Sequence, residues 1–231
     1  MTQEHAGRPR GGAPMSPHDA LAELCAGNDR FVAGTRIHPN QDAERRAALL
    51  IGQHPFAVIF GCSDSRLAAE IIFDRGLGDL FLVRTAGHVV GPEVLGSIEY
   101  AVTVLDTPLV VVLGHDFCGA VDAANQAVTA GSHPAGHLGA VVAGIAPSVH
   151  AARAGGVHDV NGIVDVHIDR TVRLLPELSG PLAEAIADQR CTVVGMSYQL
   201  ADGRARILEP GRPQRSSPAV AAGLAGTPDV T

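Results

Sequence analysis

Apolar residues fall along this chain in two rhythms. Three short unbroken runs, Phe56 to Phe60, Leu80 to Val83 and Leu109 to Leu113, have the length and composition of strands covered on both faces. Cys191 to Ser197 makes a fourth. Between the runs the apolar spacing changes to three and four. Leu21, Leu24, Cys25, Phe31 and Val32 share one helical face over roughly Pro17 to Val32. Ser16-Pro17-His18-Asp19 opens that helix as a capping box with proline at its first position. Val94, Ile98, Val102 and Leu105 mark a second helix from Glu93 to Asp106, with Pro108 as its stop. Residues 119–190 read as mostly helical, broken at His133-Pro134-Ala135-Gly136. Asp202-Gly203 signals a hairpin, with Arg204 to Leu208 returning as an edge strand.

Strand, helix and strand in alternation predict an α/β fold. Its mostly parallel central sheet is flanked by helices and carries an antiparallel edge strand. Neither an internal repeat nor a linker divides the chain, so a single domain is expected over 16–209. Residues 1–15 and the Pro/Ser/Ala/Gly-rich segment 210–231 are expected to be disordered tails.

Composition narrows the classes of function. The 231 residues are 46% hydrophobic but only 3% aromatic, and the formal net charge is −7. With no Lys/Arg run and few stacking platforms, the sequence argues against a nucleic-acid or anionic-membrane partner. No apolar run approaches the roughly 18 residues of a membrane span. The first residues, MTQEHAGRPRGGAPMS, lack the apolar centre of a secretory signal. A cytoplasmic location is expected, where thiols stay reduced. The four cysteines are then core residues, ligands or nucleophiles rather than disulfide partners. Cys25 lies on an apolar helix face and Cys191 opens a strand, so both read as packing residues.

Cys62 and His115 are different. Each sits two residues past a core run, and Cys118 follows His115 by three. In open parallel sheets the carboxyl ends of the strands are where ligands bind. Cys118 should begin a helix, whose dipole favours a thiolate. Two thiolates and an imidazole suit Zn²⁺, and three protein ligands leave a fourth position open, as in a catalytic site. The wide gap between Cys62 and His115 departs from the two close ligand pairs of a zinc finger. Next to Cys62, Asp64 and Arg66 form an Asp-x-Arg pair whose guanidinium would keep the carboxylate ionised and directed. In a shut form of such a site Asp64 itself takes the fourth metal position, with Arg66 competing for it. Taken singly, each feature has a plainer reading: a strand-end cysteine as a small buried hydrophobe, Asp64 and Arg66 as a loop ion pair. Their meeting at one sheet edge favours the metal. A cysteine-nucleophile or redox enzyme fits less well, since no C-x-x-C is present.

The segments CSDSR (62–66), RTAGH (84–88), SIEYAV (97–102) and GHDFCGA (114–120) together resemble the β-class carbonic anhydrases in their actinobacterial form. The resemblance runs from about Pro17 to about Glu209. It implies one Zn²⁺ per subunit held by Cys62, His115 and Cys118, with Asp64 a ligand only in a closed state. It implies a catalytic dyad of Asp64 and Arg66, and reversible hydration of CO₂ to bicarbonate and a proton by a zinc-bound hydroxide. It further implies a homodimer or homotetramer with active sites near an interface. Gln53, Phe81, Ala86 and Tyr100 fall where such enzymes contact substrate or line the CO₂ pocket, in part from the neighbouring subunit. Gly119 matches a glycine whose backbone N–H faces the substrate. Two departures stand out. Arg84-Thr85-Ala86-Gly87-His88 replaces the R-N-x-A/G-N of many members, with His88 expected to be a partly buried structural residue. Ile59 stands where some bacterial members carry a tryptophan of a regulatory bicarbonate pocket, although Arg84 and Tyr198 match that pocket's other residues. The motifs admit two rivals: a non-catalytic zinc-binding or regulatory protein of the same fold, and a hydrolase of another small cumulated molecule such as carbon disulfide.

Overall fold

The computed structural model describes residues 15–209, so the expected tails, Met15 aside, lie outside the described residues. Five strands, β1 (Ala57–Cys62), β2 (Leu80–Thr85), β3 (Leu109–His115), β4 (Thr192–Tyr198) and β5 (Ala205–Ile207), form one sheet in the order β2-β1-β3-β4-β5. The first four run parallel and β5 returns antiparallel on β4, as the hydrophobic pattern predicts. Every residue of β1 and of β3 is buried, the state of strands covered on both faces.

The helices are α1 (Pro17–Ala33), α2 (Ala43–Ala48), α3 (Ala69–Ile72), α4 (Pro92–Thr103), α5 (Gly119–Ala130), α6 (Leu138–Ala154), α7 (Val160–Leu178) and α8 (Gly180–Ala187). Ser16 caps α1 as expected: its Oγ accepts from the Asp19 N–H at 3.1 Å and donates to the Asp19 carboxylate at 2.8 Å. Asn28 then ties α1 to the hairpin. Its side chain donates to the carbonyls of Ile72 and Gly203 and accepts from the Ala205 N–H.

Two boundaries differ from the sequence reading. The helix expected to reach Asp106 ends at Thr103, because the chain turns there: Thr107 N–H donates to the Ala101 carbonyl, and Asp106 sits at φ 54°. Strands β1 and β3 each run two residues beyond their apolar runs. Cys62 pairs with Thr85 and His115 with Tyr198, so the ladder carries both residues to the sheet's edge. The helices α2 and α3 were not foreseen; at six and four residues they are too short to show a period.

Helix α7 approaches the sheet unusually closely. A Cβ placed on Gly114 or Gly195 would lie 2.5 and 2.7 Å from Ile168 atoms, so these two strand glycines form a notch for that side chain. The notch brings the inward face of α7 against the strand end that carries His115.

Candidate metal centre

Cys62 is the last residue of β1, His115 the last of β3, and Cys118 the N-cap of α5. Their ligating atoms all lie within 4.8 Å of one another, and all three residues are buried. The two sulfurs are 3.9 Å apart. Two Zn–S bonds of about 2.3 Å meeting at a tetrahedral angle would place them roughly 3.8 Å apart.

The histidine shows which atom is offered. His115 Nδ1 lies 2.8 Å from the Asp116 carbonyl, which can only accept, so the proton is on Nδ1. Nε2 then carries a lone pair, is buried, and has no hydrogen-bond partner. An orphaned acceptor facing two thiols fits a soft divalent cation, with the Asp116 carbonyl fixing the ring. The thiols are already polarised. The two sulfurs share a hydrogen bond and the Gly87 N–H reaches Cys62 Sγ at 3.3 Å, and both contacts lower the Cys62 pKa. Cys118 is correspondingly pushed up, chiefly by the Cys62 thiolate, although N–H groups at the start of α5 oppose this.

Asp64 and Arg66 form the expected pair. Arg66 Nε and Nη2 donate to Oδ1 and Oδ2 at 2.9 and 2.8 Å, and the Arg66 backbone N–H adds a third bond at 2.9 Å. This fork holds the Asp64 carboxyl well below the usual carboxylate range. Its Oδ2 lies 3.9 Å from His115 Nε2, at the rim of the cluster but outside the three-donor group. Arg84 braces the loop from β2, donating to the carbonyls of Cys62 (2.9 Å) and Asp64 (2.6 Å). Arg84 therefore acts on the loop's backbone, while Ile59 is a buried apolar side chain.

The remaining expected residues divide. Ala86 follows Thr85, the register partner of Cys62, and Gly119 opens α5 beside Cys118, where the first helical N–H groups lack intrahelical partners. Phe81 and Tyr100 form a ring pair at 6.2 Å, but Phe81 precedes Thr85 by four residues, roughly 13 Å along the strand. Gln53 is exposed before the start of β1, at the opposite end of the sheet from Cys62. A single chain does not bring these three to the cluster. His88, expected partly buried, is 1% exposed and neutral, and neither of its ring nitrogens has a partner.

Sequence reasoning missed His167. It is buried on α7 behind Gly87, donating from Nε2 to the Gly87 carbonyl at 2.9 Å. The signal was present: Ile163, Val164, His167, Ile168, Thr171 and Leu175 share one buried face, and a histidine on such a face needs a polar partner.

Comparison with known proteins fits this geometry. A family model described as carbonic anhydrase matches residues 57–205. Carbonic anhydrase 2 of Mycobacterium tuberculosis is 54% identical over 196 residues, covering 85% of this chain and 93% of that protein. The chain belongs to the β-carbonic anhydrase family. The carbonic anhydrase of Mycolicibacterium smegmatis is 50% identical over 83% of this chain and 93% of its own length. Among solved structures, a β-carbonic anhydrase of Aspergillus fumigatus superposes with TM-score 0.66 at 27% identity, covering 84% of this chain and 93% of that one. Two tetrameric β-carbonic anhydrases of Sordaria macrospora are represented at TM-score 0.65 and 25% identity, covering 83% and 95%. The protein is a carbonic anhydrase that hydrates CO₂, with zinc as its cofactor. The rival readings as a non-catalytic zinc protein or a carbon disulfide hydrolase give way to it.

Proposed function

We propose that Cys62, His115 and Cys118 hold the zinc and that Asp64, aimed by Arg66, orients the water that attacks CO₂. The observation that carries this reading is the Arg66–Asp64 fork set 3.9 Å from the free Nε2 of a buried Cys–His–Cys group. Zinc supplies a Lewis acid that makes a bound water acidic near neutral pH. The chain's own groups do the rest. With both oxygens held by the guanidinium, Asp64 stays ionised and accepts a hydrogen bond from the attacking water in one direction. The Gly119 N–H, at the start of α5, faces the oxygen on which negative charge develops. Arg84 keeps the 62–66 loop from shifting the carboxylate.

The protein self-associates as a homodimer or tetramer, and a second copy supplies Gln53, Phe81 and Tyr100 to the pocket. Three observations support this. Those residues lie away from their own chain's cluster; Leu50 and Ile51 are 86% and 92% exposed beside Gln53; and β2 has a free outer edge. The Sordaria relatives are tetrameric. Free thiols at all four cysteines support a reducing cytoplasmic setting. Among the described residues no helix is long and apolar enough to cross a membrane.

Stopped-flow CO₂ hydration from about pH 6.5 to 9, with zinc content measured in parallel, tests the assignment. The rate should rise with pH. Asp64→Ala should keep its zinc and lose roughly 10²–10³-fold in kcat. Normal turnover in that variant would remove Asp64 from the mechanism.

A further inference from the structure

A line of polar groups approaches the metal centre from inside the protein, and the chemistry above does not use it. It begins at Ser148 on α6, 2.8 Å from His167 Nδ1. His167 Nε2 lies 2.9 Å from the Gly87 carbonyl, and the Gly87 N–H donates to Cys62 Sγ at 3.3 Å. The directions follow from the atoms. A carbonyl only accepts, so Nε2 bears the proton and Nδ1 accepts from the serine hydroxyl. Burial holds His167 neutral, with its pKa down to about 4, so this tautomer persists through the neutral range.

The backbone at Gly87 must be held in place. Gly87 is at φ 62°, ψ 27°, and His88 follows at φ 42°, two successive left-handed residues. A Cβ on Gly87 would lie 2.6 Å from Ile145 Cδ1 and 3.0 Å from Ala120 Cβ, so the segment is wedged as well as twisted. The His167 ring is itself confined. His88 stacks on it with centroids 4.3 Å apart, and Phe60 meets His88 edge-on at 6.1 Å.

We propose that His167 is a positioning residue of the metal centre. By holding the Gly87 carbonyl it aims the Gly87 N–H at Cys62 Sγ, and so sets how much charge that sulfur gives the metal. The inference rests on the reading of Cys62 as a zinc ligand. An N–H···S bond draws density from a thiolate. Its loss makes the sulfur a stronger donor and the metal a weaker Lewis acid. Helices α6 and α7 thereby tune a site to which they contribute no ligand.

The test replaces zinc by cobalt(II) in the full-length protein and records the near-ultraviolet thiolate-to-cobalt charge-transfer band. His167→Phe keeps a ring for His88 to stack on but cannot donate. Its band should move to lower energy, and the pH midpoint of hydration by the zinc form should move alkaline. His167→Gln retains an N–H donor and should recover much of the wild-type band. Ser148→Ala, a milder change, should shift it in the same direction by less, and serves if His167→Phe does not fold. Leu175→Ala removes a buried side chain two turns along α7 and reports packing loss alone; its band should stay in place. An unchanged band and pH midpoint in His167→Phe, or in Ser148→Ala where the former does not fold, would overturn the proposal. So would an equal shift in Leu175→Ala. A wild-type protein showing no thiolate band would instead break the ligand assignment, which separates the two failures.

Discussion

The two ends of the central sheet are finished to different degrees. At the carboxyl ends of β1 and β3, the charged side chains beside the cluster and the ring orientation of His115 are fixed by partners within the same chain. Arg66 forks Asp64, Arg84 ties two loop carbonyls, and Asp116 fixes the tautomer of His115. At the amino ends, Leu50, Ile51 and Leu77 face outward, and Tyr100 is half exposed against Phe81. One end brings its candidate ligands and their supporting ion pair together within a single chain. The other presents exposed apolar side chains, and three of the residues expected to line the pocket, Gln53, Phe81 and Tyr100, lie there. Metal binding and substrate access are therefore separable by mutation, and the two ends should fail in different ways.

The largest effect is expected at the finished end. His115→Ala removes the orphaned acceptor, so zinc content should fall to near zero and hydration by at least about 10³-fold, measured by metal analysis beside stopped-flow rates. Arg66→Ala should act next, lowering the rate by roughly 100-fold with zinc retained, because Asp64 loses the fork that directs it. Loss of zinc in that variant would mean the pair is structural.

Acid should then distinguish the buried histidines of this end from exposed ones. His167 titrates at about 4 when folded against 6.5 as the ordinary value, burial being the main cause and the Arg170 charge adding to it. Below pH 6.5 the unfolded chain takes up a proton that the folded chain refuses. Stability is thus full above pH 6.5 and declines as the pH falls towards 4, by about 3 kcal/mol from this residue. Urea unfolding of metal-stripped protein at pH 7 and pH 4.5 should show a shallower fall in His167→Gln. Equal slopes would assign the acid sensitivity elsewhere.

The smallest effect belongs to the open end. Ile51→Asp should leave zinc content unchanged while weakening self-association about tenfold, read by sedimentation at falling concentration, with activity declining in step. Unaltered association would move the interface away from this surface.

The sheet was legible because its central strands are continuous apolar runs, and the α1 start because Ser16 and Asp19 have the capping spacing. The ligands were legible because β strands end where their apolar runs end, give or take two residues. Position along the chain, however, carries no information about what leans on a ligand from behind. Gly87 appeared as part of a motif, but neither its left-handed backbone nor the closeness of Ile145 and Ala120, which leaves no room for a side chain there, can be read from position along the chain. His167 lies 105 residues from Cys62 in the sequence and meets the site only because Gly114 and Gly195 let α7 settle onto the sheet. Arg84 matched a regulatory pocket by position, yet its hydrogen bonds hold the active-site loop.

The ladder that extends to Cys62 and His115 has one more consequence. Neighbouring strands stand about 4.8 Å apart because amide hydrogen bonds set that distance, and this lattice spaces the cysteine of β1 from the histidine of β3. Small zinc modules acquire their shape from the cation and collapse without it. Here the socket is cut by the backbone itself. Assembly can therefore run in sequence, with the chain folding first on its own hydrogen bonds and the metal loaded afterwards.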